Sequence, residues 1–491
     1  MPMRFIQPVD RGQYIMMNSL DDTVPENHPL RLIDSVIEQI VRDNPSEFTT
    51  DRVESDPGRP AFAPQTMLKL FLYGYLINCR ASRKLEAETQ RNIELMWLLG
   101  KLSPDHWVIA HYRRVHGDQI KTVTKAFRQF LHTHGYIKGE RVAIDGTKMK
   151  ANACREMLST EKIEKRLDHL DEQMEEYLSK LAENDHRDDL DEELDALDGS
   201  IPPDRHLREK VIALQKQIDE LTRNKETLND SNKNYLSPAD PEASMMKSRD
   251  GKIPAYNVQS VVDDAHHMIA TTEVLTDRAD NGALAVMVKS LQDEIGVIPQ
   301  IVAADAGYYA PDLIEQVESQ SKATCYIAAP ERERDSSAIT FQYDASTDCV
   351  TCSQGKPLVL LHKNKLKKKS LANVYRGTQC VGCQLRSQCT SSKYGRIVHR
   401  YHNQDWRDRY RERMKKEASR AIVALRKSLV EHPFGTIKLW GGKLPLLLRG
   451  KAKVSTEINL YATAYNFKRL LNCTIRETLK SQIASASWKL A

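Results

Sequence analysis

The chain has 491 residues, of which 40% are hydrophobic and 28% charged, with a formal net charge of +5. That length allows two or three globular cores, because single cores rarely grow past about 300 residues. The composition excludes a wholly disordered chain, a collagen-like chain and a small disulfide scaffold. The charge is unevenly placed: residues 161–200 hold 16 acidic and 5 basic side chains, which leaves +16 on the rest. A basic body with one acidic patch points to nucleic acid as a partner. The opening MPMRFIQPVDRGQ has no long apolar stretch, and no run reaches 18 apolar residues. No membrane partner is expected, and a cytoplasmic, nucleoid-associated location is. Nine cysteines, five of them between Cys349 and Cys389, fit a reducing compartment better than a secreted framework.

Residues 1–138 read as an all-α unit with short helices. Candidates are Leu30–Val41, a helix opened by Pro64 and running to about Asn78, one capped by Ser82, one over Trp107–Val115 and one over Ile120–His132. Arg113 and Arg114 sit on the fourth and are candidate DNA contacts. Arg141-Val142-Ala143-Ile144 then reads as a short strand that Asp145-Gly146 ends. Within residues 158–236, Ile163, Leu167, Leu170, Met174, Tyr177 and Leu181 follow helical spacing, and so do Leu207, Val211, Leu214, Ile218, Leu221 and Leu228. This predicts a coiled-coil-like helical hairpin around an acidic loop. Strand signals return at Tyr256–Val262 and His267–Leu275, followed by a helix over Ala283–Glu294 and a strand Ile301-Val302-Ala303-Ala304 ending at Asp305. A helix over 311–319 and the run Cys325–Ala329 continue the pattern, which makes residues 139–480 an α/β sheet domain with insertions.

Asp145 and Asp305 share one context, each following a short apolar run and preceding a small residue. Strand C-termini in α/β sheets converge on the ligand crevice. Two carboxylates there can bridge divalent cations, and Mg²⁺ favours carboxylates, waters and phosphate oxygens. The alternative is that each Asp caps a strand or turn. A third carboxylate is either Glu431, after the helix candidate Trp406–Val430, or Glu457 in a later helix. Position and helical phase leave that choice open.

Motifs along nearly the whole chain resemble those of DDE transposases of bacterial insertion sequences. The first unit carries Asp10-Arg11-Gly12-Gln13, Ser19-Leu20-Asp21-Asp22, Gly58-Arg59-Pro60-Ala61, Leu72-Tyr73-Gly74-Tyr75, Arg91-Asn92-Ile93-Glu94 and Pro104-Asp105-His106. The catalytic blocks resemble Ile144-Asp145-Gly146-Thr147-Lys148, Ala304-Asp305-Ala306-Gly307-Tyr308 and Val430-Glu431-His432-Pro433-Phe434-Gly435 with Lys438. The expected Arg four positions before the Glu is Lys427, with Arg426 beside it, and the expected Tyr is Ala424. The resemblance implies an RNase H-like core in which Asp145, Asp305 and Glu431 hold two Mg²⁺ ions, with Mn²⁺ as a substitute. It further implies cleavage of double-stranded DNA at terminal inverted repeats, strand transfer to target DNA, and a homodimer pairing two ends. Lys438 and Arg426 or Lys427 would contact phosphate. Two other readings stand beside it: an RNase H-like nuclease without strand transfer, and an inactive, domesticated DNA-binding protein.

Cys349-x2-Cys352 and Cys380-x2-Cys383, separated by 27 residues, have zinc-ribbon spacing, with Cys389 six residues on. Residues 340–392 are therefore expected to form a zinc-ribbon-like insertion holding structural Zn²⁺; Cys389 either replaces one ligand or packs. Between Lys393 and Lys427 there are 12 basic residues against 4 acidic ones, and Arg407, Arg411, Lys415 and Arg426 are placed to share one helix face. Such contacts to phosphate give affinity with little sequence choice. A solvated helix is the other reading of the same charges.

Overall fold

The computed structural model describes residues 19–49, 60–153, 157–191, 203–230, 235–248, 251–330, 340–367, 370–441 and 445–490; within these, the side chains of 182–191, 203–206 and 438–441 are not described. Asp10-Arg11-Gly12-Gln13, Gly58-Arg59 and the acidic loop of the hairpin fall outside them.

Local chemistry starts the N-terminal helices. Pro29 opens α1 (Pro29–Asp43), where its missing N–H costs no hydrogen bond, and the His28 ring accepts from the Leu30 amide. Leu30, Ile33, Ile37 and Ile40 form its buried stripe. α2 (Pro64–Leu76) is buried almost all round. α3 (Ser82–Arg91), α4 (Ile93–Leu98), α5 (His106–Val115) and α6 (Gly117–Thr133) follow. Asp105 caps α5 by accepting from the Val108 amide at 2.8 Å. Ser82 does not cap α3 as expected: it is the first helical residue, and its hydroxyl accepts from Arg113 instead.

The central sheet has the order β2-β3-β1-β5-β6, with β4 paired to β3. Its strands are β1 (Arg141–Lys150), β2 (Ser244–Ser248), β3 (Gly251–Asp263), β4 (Ile269–Leu275), β5 (Ile301–Ala304) and β6 (Thr324–Ile327). β1 is antiparallel to β3 and parallel to β5. Between β1 and β2 stands a hairpin of two long helices, α7 (Thr160–Asp191) and α8 (Pro203–Asp230). Glu164 pairs with Lys225, and Lys210 lies over Tyr177, so the two helices run antiparallel within one chain. Leu158 and Leu236 exchange backbone bonds at its base. α9 (Ala283–Ile295) and α10 (Pro311–Ser321) connect the later strands.

The cysteine-bearing segment is a second sheet, an antiparallel meander of β7 (Phe341–Asp344), β8 (Cys349–Cys352), β9 (Pro357–Lys367), β10 (Ser370–Gly377) and β11 (Ile397–Tyr401), with the short α11 (Arg386–Cys389) inside it. It extends past the expected end at 392. The single helix expected over Trp406–Val430 is two, α12 (Gln404–Lys415) and α13 (Glu417–Gly441), and α13 continues through Pro433. α14 (Lys451–Cys473) and α15 (Arg476–Ser485) end the chain.

One apolar core runs from Val24 to Trp488 and takes in the first six helices, the sheet face under α9, and α14. Phe127 meets Phe467, and Phe130 stacks on Trp488 at 4.7 Å between ring centroids. Asn44 donates to the Trp488 carbonyl at 2.8 Å. The N-terminal helices therefore share a core with the remainder of the chain, with no break at 138. Trp488→Ala is expected to lower global stability by about 3–5 kcal/mol, the range for removing a fully buried aromatic. Thermal unfolding should show both segments melting together at a lower temperature.

Candidate active site

Strand register brings the two aspartates together. Arg141, Val142 and Ala143 pair in parallel with Ile301, Val302 and Ala303. Asp145 lies two residues past this ladder on β1 and Asp305 two residues past it beyond β5, close enough for the charge of Asp305 to act on Asp145. Asp145 does not end β1, which continues to Lys150 along β3. Asp305 follows the last residue of β5 and caps the next turn by accepting from the Gly307 amide at 2.8 Å. The Asp145 carboxyl is raised above its usual range, chiefly by burial; Arg426 and the Gly146 amide oppose this, and the charges of Asp305 and Asp280 add to it.

Gly146 is a glycine because another side chain occupies the space a Cβ would need. Such a Cβ would lie 2.1 Å from Gln259 Nε2. Gln259 donates to Asn257 Oδ1 at 2.8 Å and to Asp280 Oδ1 at 3.0 Å, and its carbonyl accepts from the Tyr308 hydroxyl. Asp280 Oδ1 also receives Lys148 Nζ at 2.8 Å and Asn257 Nδ2 at 2.7 Å. Burial, and then the charges of Asp280, Asp145 and Asp305, hold the Tyr308 hydroxyl well above its usual range. Three carboxylates thus act on one buried phenol. Asp280 was missed by sequence reasoning, since the loop Asp277-Arg278-Ala279-Asp280 carries no spacing signal. Asn257 and Gln259 did leave one, as polar residues two apart in the mainly apolar buried run Tyr256–Val262.

α13 packs across this sheet through Leu429 and Val430, which meet Ala143 and Val262. Arg426, one turn earlier, reaches the site: its Nη1 stands 3.6 Å from Asp145 Oδ1, is buried, and has no hydrogen-bond partner. Glu431 follows Val430 and is exposed, one turn beyond the exposed Lys427. The Lys438 backbone lies in the same helix; its side chain is outside the described residues. Among the described residues, no three His, Cys, Asp or Glu side chains stand together closely enough to hold a metal ion. The structure brings Asp145 and Asp305 together and places Glu431 on the helix packed against them, without closing the triad.

The rival Glu457 faces elsewhere. It is fully buried, paired with Arg80 at 3.1 Å, and accepts from the amides of Leu447 and Leu448. Arg113 belongs to the same cluster. It is 4% exposed, donating to the Arg80 carbonyl and the Ser82 hydroxyl. The expectation that Arg113 touches DNA is therefore corrected: it holds two elements together inside the protein. Arg114 is exposed beside it. Arg411 and Lys415 are exposed and paired within α12 to Asp408 and Glu412, whereas Arg407 pairs with Asp312 and leaves that surface.

Of the five clustered cysteines, Cys352, Cys380, Cys383 and Cys389 line one cavity. The Cys389 thiol is pushed up, first by burial and then, against Arg396, by Cys380, Cys383 and Cys352. Cys349 is absent from that lining; its Sγ lies 3.8 Å from the Val350 carbonyl. All five are free thiols.

These placements separate the two glutamates by experiment. Glu457→Ala strips a buried arginine of its partner and is expected to cost about 3–5 kcal/mol. Glu431→Gln, on an exposed position, should leave chemical denaturation within about 0.5 kcal/mol of the parent.

A family model described as transposase DDE domain matches residues 351–471, a span holding Arg426 and Glu431. A second, described as transposase domain (DUF772), matches residues 18–115. No curated protein matches the chain. A solved piggyBac transposase synaptic complex with hairpin DNA is 11% identical over 93% of this chain and 84% of that one, with a TM-score of 0.25. That score carries no common superposition, and the assignment rests on the two family matches. With one transposase model matched near each end, the two matches support a DDE transposase of insertion-sequence type.

Proposed function

We propose that the crevice at Asp145 and Asp305 is where this transposase cleaves DNA and joins strands, with Glu431 as the third carboxylate. The observation that carries this is the approach of Asp145, on β1, to Asp305, just past the end of the parallel neighbour β5, faced by a buried arginine nitrogen without a hydrogen bond. The α/β sheet around them is read as RNase H-like. The donor set fits a divalent cation: the oxygens are hard, and the partly buried carboxylates repel one another. Asp145, Asp305 and Glu431 would hold two Mg²⁺ ions, or Mn²⁺ in their place. Cations bound there supply Lewis acidity at the scissile phosphate and offset its repulsion by the carboxylates. Arg426 Nη1 donates to a non-bridging phosphate oxygen. Lys148, Asn257 and Gln259 are committed to Asp280 and fix the crevice wall, so they position the strands and leave phosphate binding to Arg426, Lys427 and Lys438. The substrate is double-stranded DNA with terminal inverted repeats, the joining partner is target DNA, and the working unit is a homodimer.

Asp305→Asn should abolish cleavage and joining of DNA carrying the repeats that flank the gene, while DNA affinity stays within about twofold. Retained turnover would sink the assignment. Cleavage without joining would favour a nuclease, and specific binding without either reaction would favour a domesticated DNA-binding protein. A readout independent of turnover is thermal: Mn²⁺ at 100 times its Kd should stabilise the parent by about 2.7 kcal/mol, and the gain should vanish in Asp145→Asn.

Zinc in the second sheet is a separate proposal. Cys352, Cys380, Cys383 and Cys389 have the right donor chemistry but are not drawn into a ligand set in this structure. Metal analysis of purified protein at about one zinc per chain would support it, and a metal-free folded protein would remove it.

A further inference from the structure

A groove of about 490 Å³ lies between α3, α5 and the segment that carries Leu447 and Leu448. Its most exposed aromatic is Trp107, at 64%. The indole stacks on His111, with centroids 4.9 Å apart and planes 13° from parallel. Arg114 Nη2 lies within hydrogen-bond distance of the same ring, 3.1 Å from Nδ1. Arg83 stands exposed on the opposite wall, and neither arginine has an ion pair among the described residues. No acidic residue lines the groove; the nearby Glu86 is taken by His106. An exposed indole beside two guanidinium groups that have no ion pair among the described residues, with no acid in the lining, fits an anion that also offers a flat ring or sugar face.

We propose that this groove seats DNA, with Arg83 and Arg114 on backbone phosphates and Trp107 against a sugar or an unstacked base. The proposal rests on the transposase reading above and adds to it where the DNA is gripped. Phosphate contacts fix the register of a strand, and an aromatic face holds a base without choosing its identity. The groove is also tied to the catalytic strand. The Leu447 and Leu448 amides donate to Glu457, which holds Arg80 just before α3. The adjacent Leu446 amide donates to the Lys150 carbonyl at the end of β1, and Asn152 donates to the Leu447 carbonyl. One wall of the groove is thereby bonded to the end of the strand that carries Asp145.

The test uses the full chain with two fluorescent duplexes, one bearing the inverted repeat that flanks the gene and one of random sequence. Binding is read by anisotropy across a salt series. Arg83→Gln with Arg114→Gln should weaken binding at least tenfold and flatten the slope of log K against log salt by about 1.8, since each lost phosphate contact removes about 0.9. Trp107→Ala should weaken binding about 5- to 150-fold with the slope unchanged, the range for one stacked base. Equal losses on both duplexes assign the groove to general DNA contact, and a loss confined to the repeat assigns it to the element's end; either supports the proposal. Folded variants that bind both duplexes with parental affinity and slope overturn it, and if the parent still cleaves, the transposase reading survives that failure. A parent that neither binds nor cleaves either duplex sinks both.

Discussion

The parallel pairing of β1 with β5 is the constraint on which the site depends. Three residue pairs set the register; two residues further on β1 carries Asp145, and Asp305 stands just past the end of β5. A slip of one residue would send Asp145 to the opposite face, because side chains alternate along a strand. Several features defend that register. β3 pairs with β1 along nine residues, so the strand is held on both sides. Gln259 lies over Gly146 and locks onto Asp280 and Tyr308. Leu429 and Val430 press on Ala143, just ahead of Asp145. A site that must hold like charges close together needs such rigidity, because their repulsion would otherwise push the strands apart.

The second organising feature is the buried charge cluster around Glu457. Burial raises its carboxyl, while Arg113, two amides and Arg80 act against that. A buried ion pair gives little net stability, yet losing one partner is expensive. Its effect here is positional. It ties α14 to the loop before α3 and to the 447–448 segment, which itself bonds to the end of β1. The N-terminal helices are thus joined to the catalytic strand through one charged knot as well as through Phe127, Phe467 and Trp488.

Much of this was legible in the sequence where short-range physics decides. The helix candidate Leu30–Val41, the helical spacing of α7 and Pro64 opening α2 match the elements found, and the apolar runs before Asp145 and Asp305 are strands, the first of them longer than expected. The misreadings have particular causes. Asp145-Gly146 looked like a strand stop because Asp-Gly commonly turns a chain, but here glycine makes room for a side chain from the neighbouring strand. Pro433 lies inside α13, which packing on Val258 and Tyr256 through Phe434 helps to hold. Arg113 and Arg114 are adjacent and look alike in sequence. Helical rotation by about 100° buries the first and exposes the second. Glu457 and Glu431 could not be told apart without knowing that Arg80, 377 residues away, is waiting for one of them.

The helical hairpin bears on how the chain finds this fold. β1 must pair with β3 across an insertion of about a hundred residues, and closing a loop that long carries an entropic penalty that grows with its length. The two helices, zipped from Lys225 on Glu164 down to the Leu158–Leu236 bridge, bring the ends of that insertion side by side. A locally formed element thereby shortens the loop that β1 and β3 must close. The acidic arm doubles as a folding clamp for the strand that carries the first aspartate.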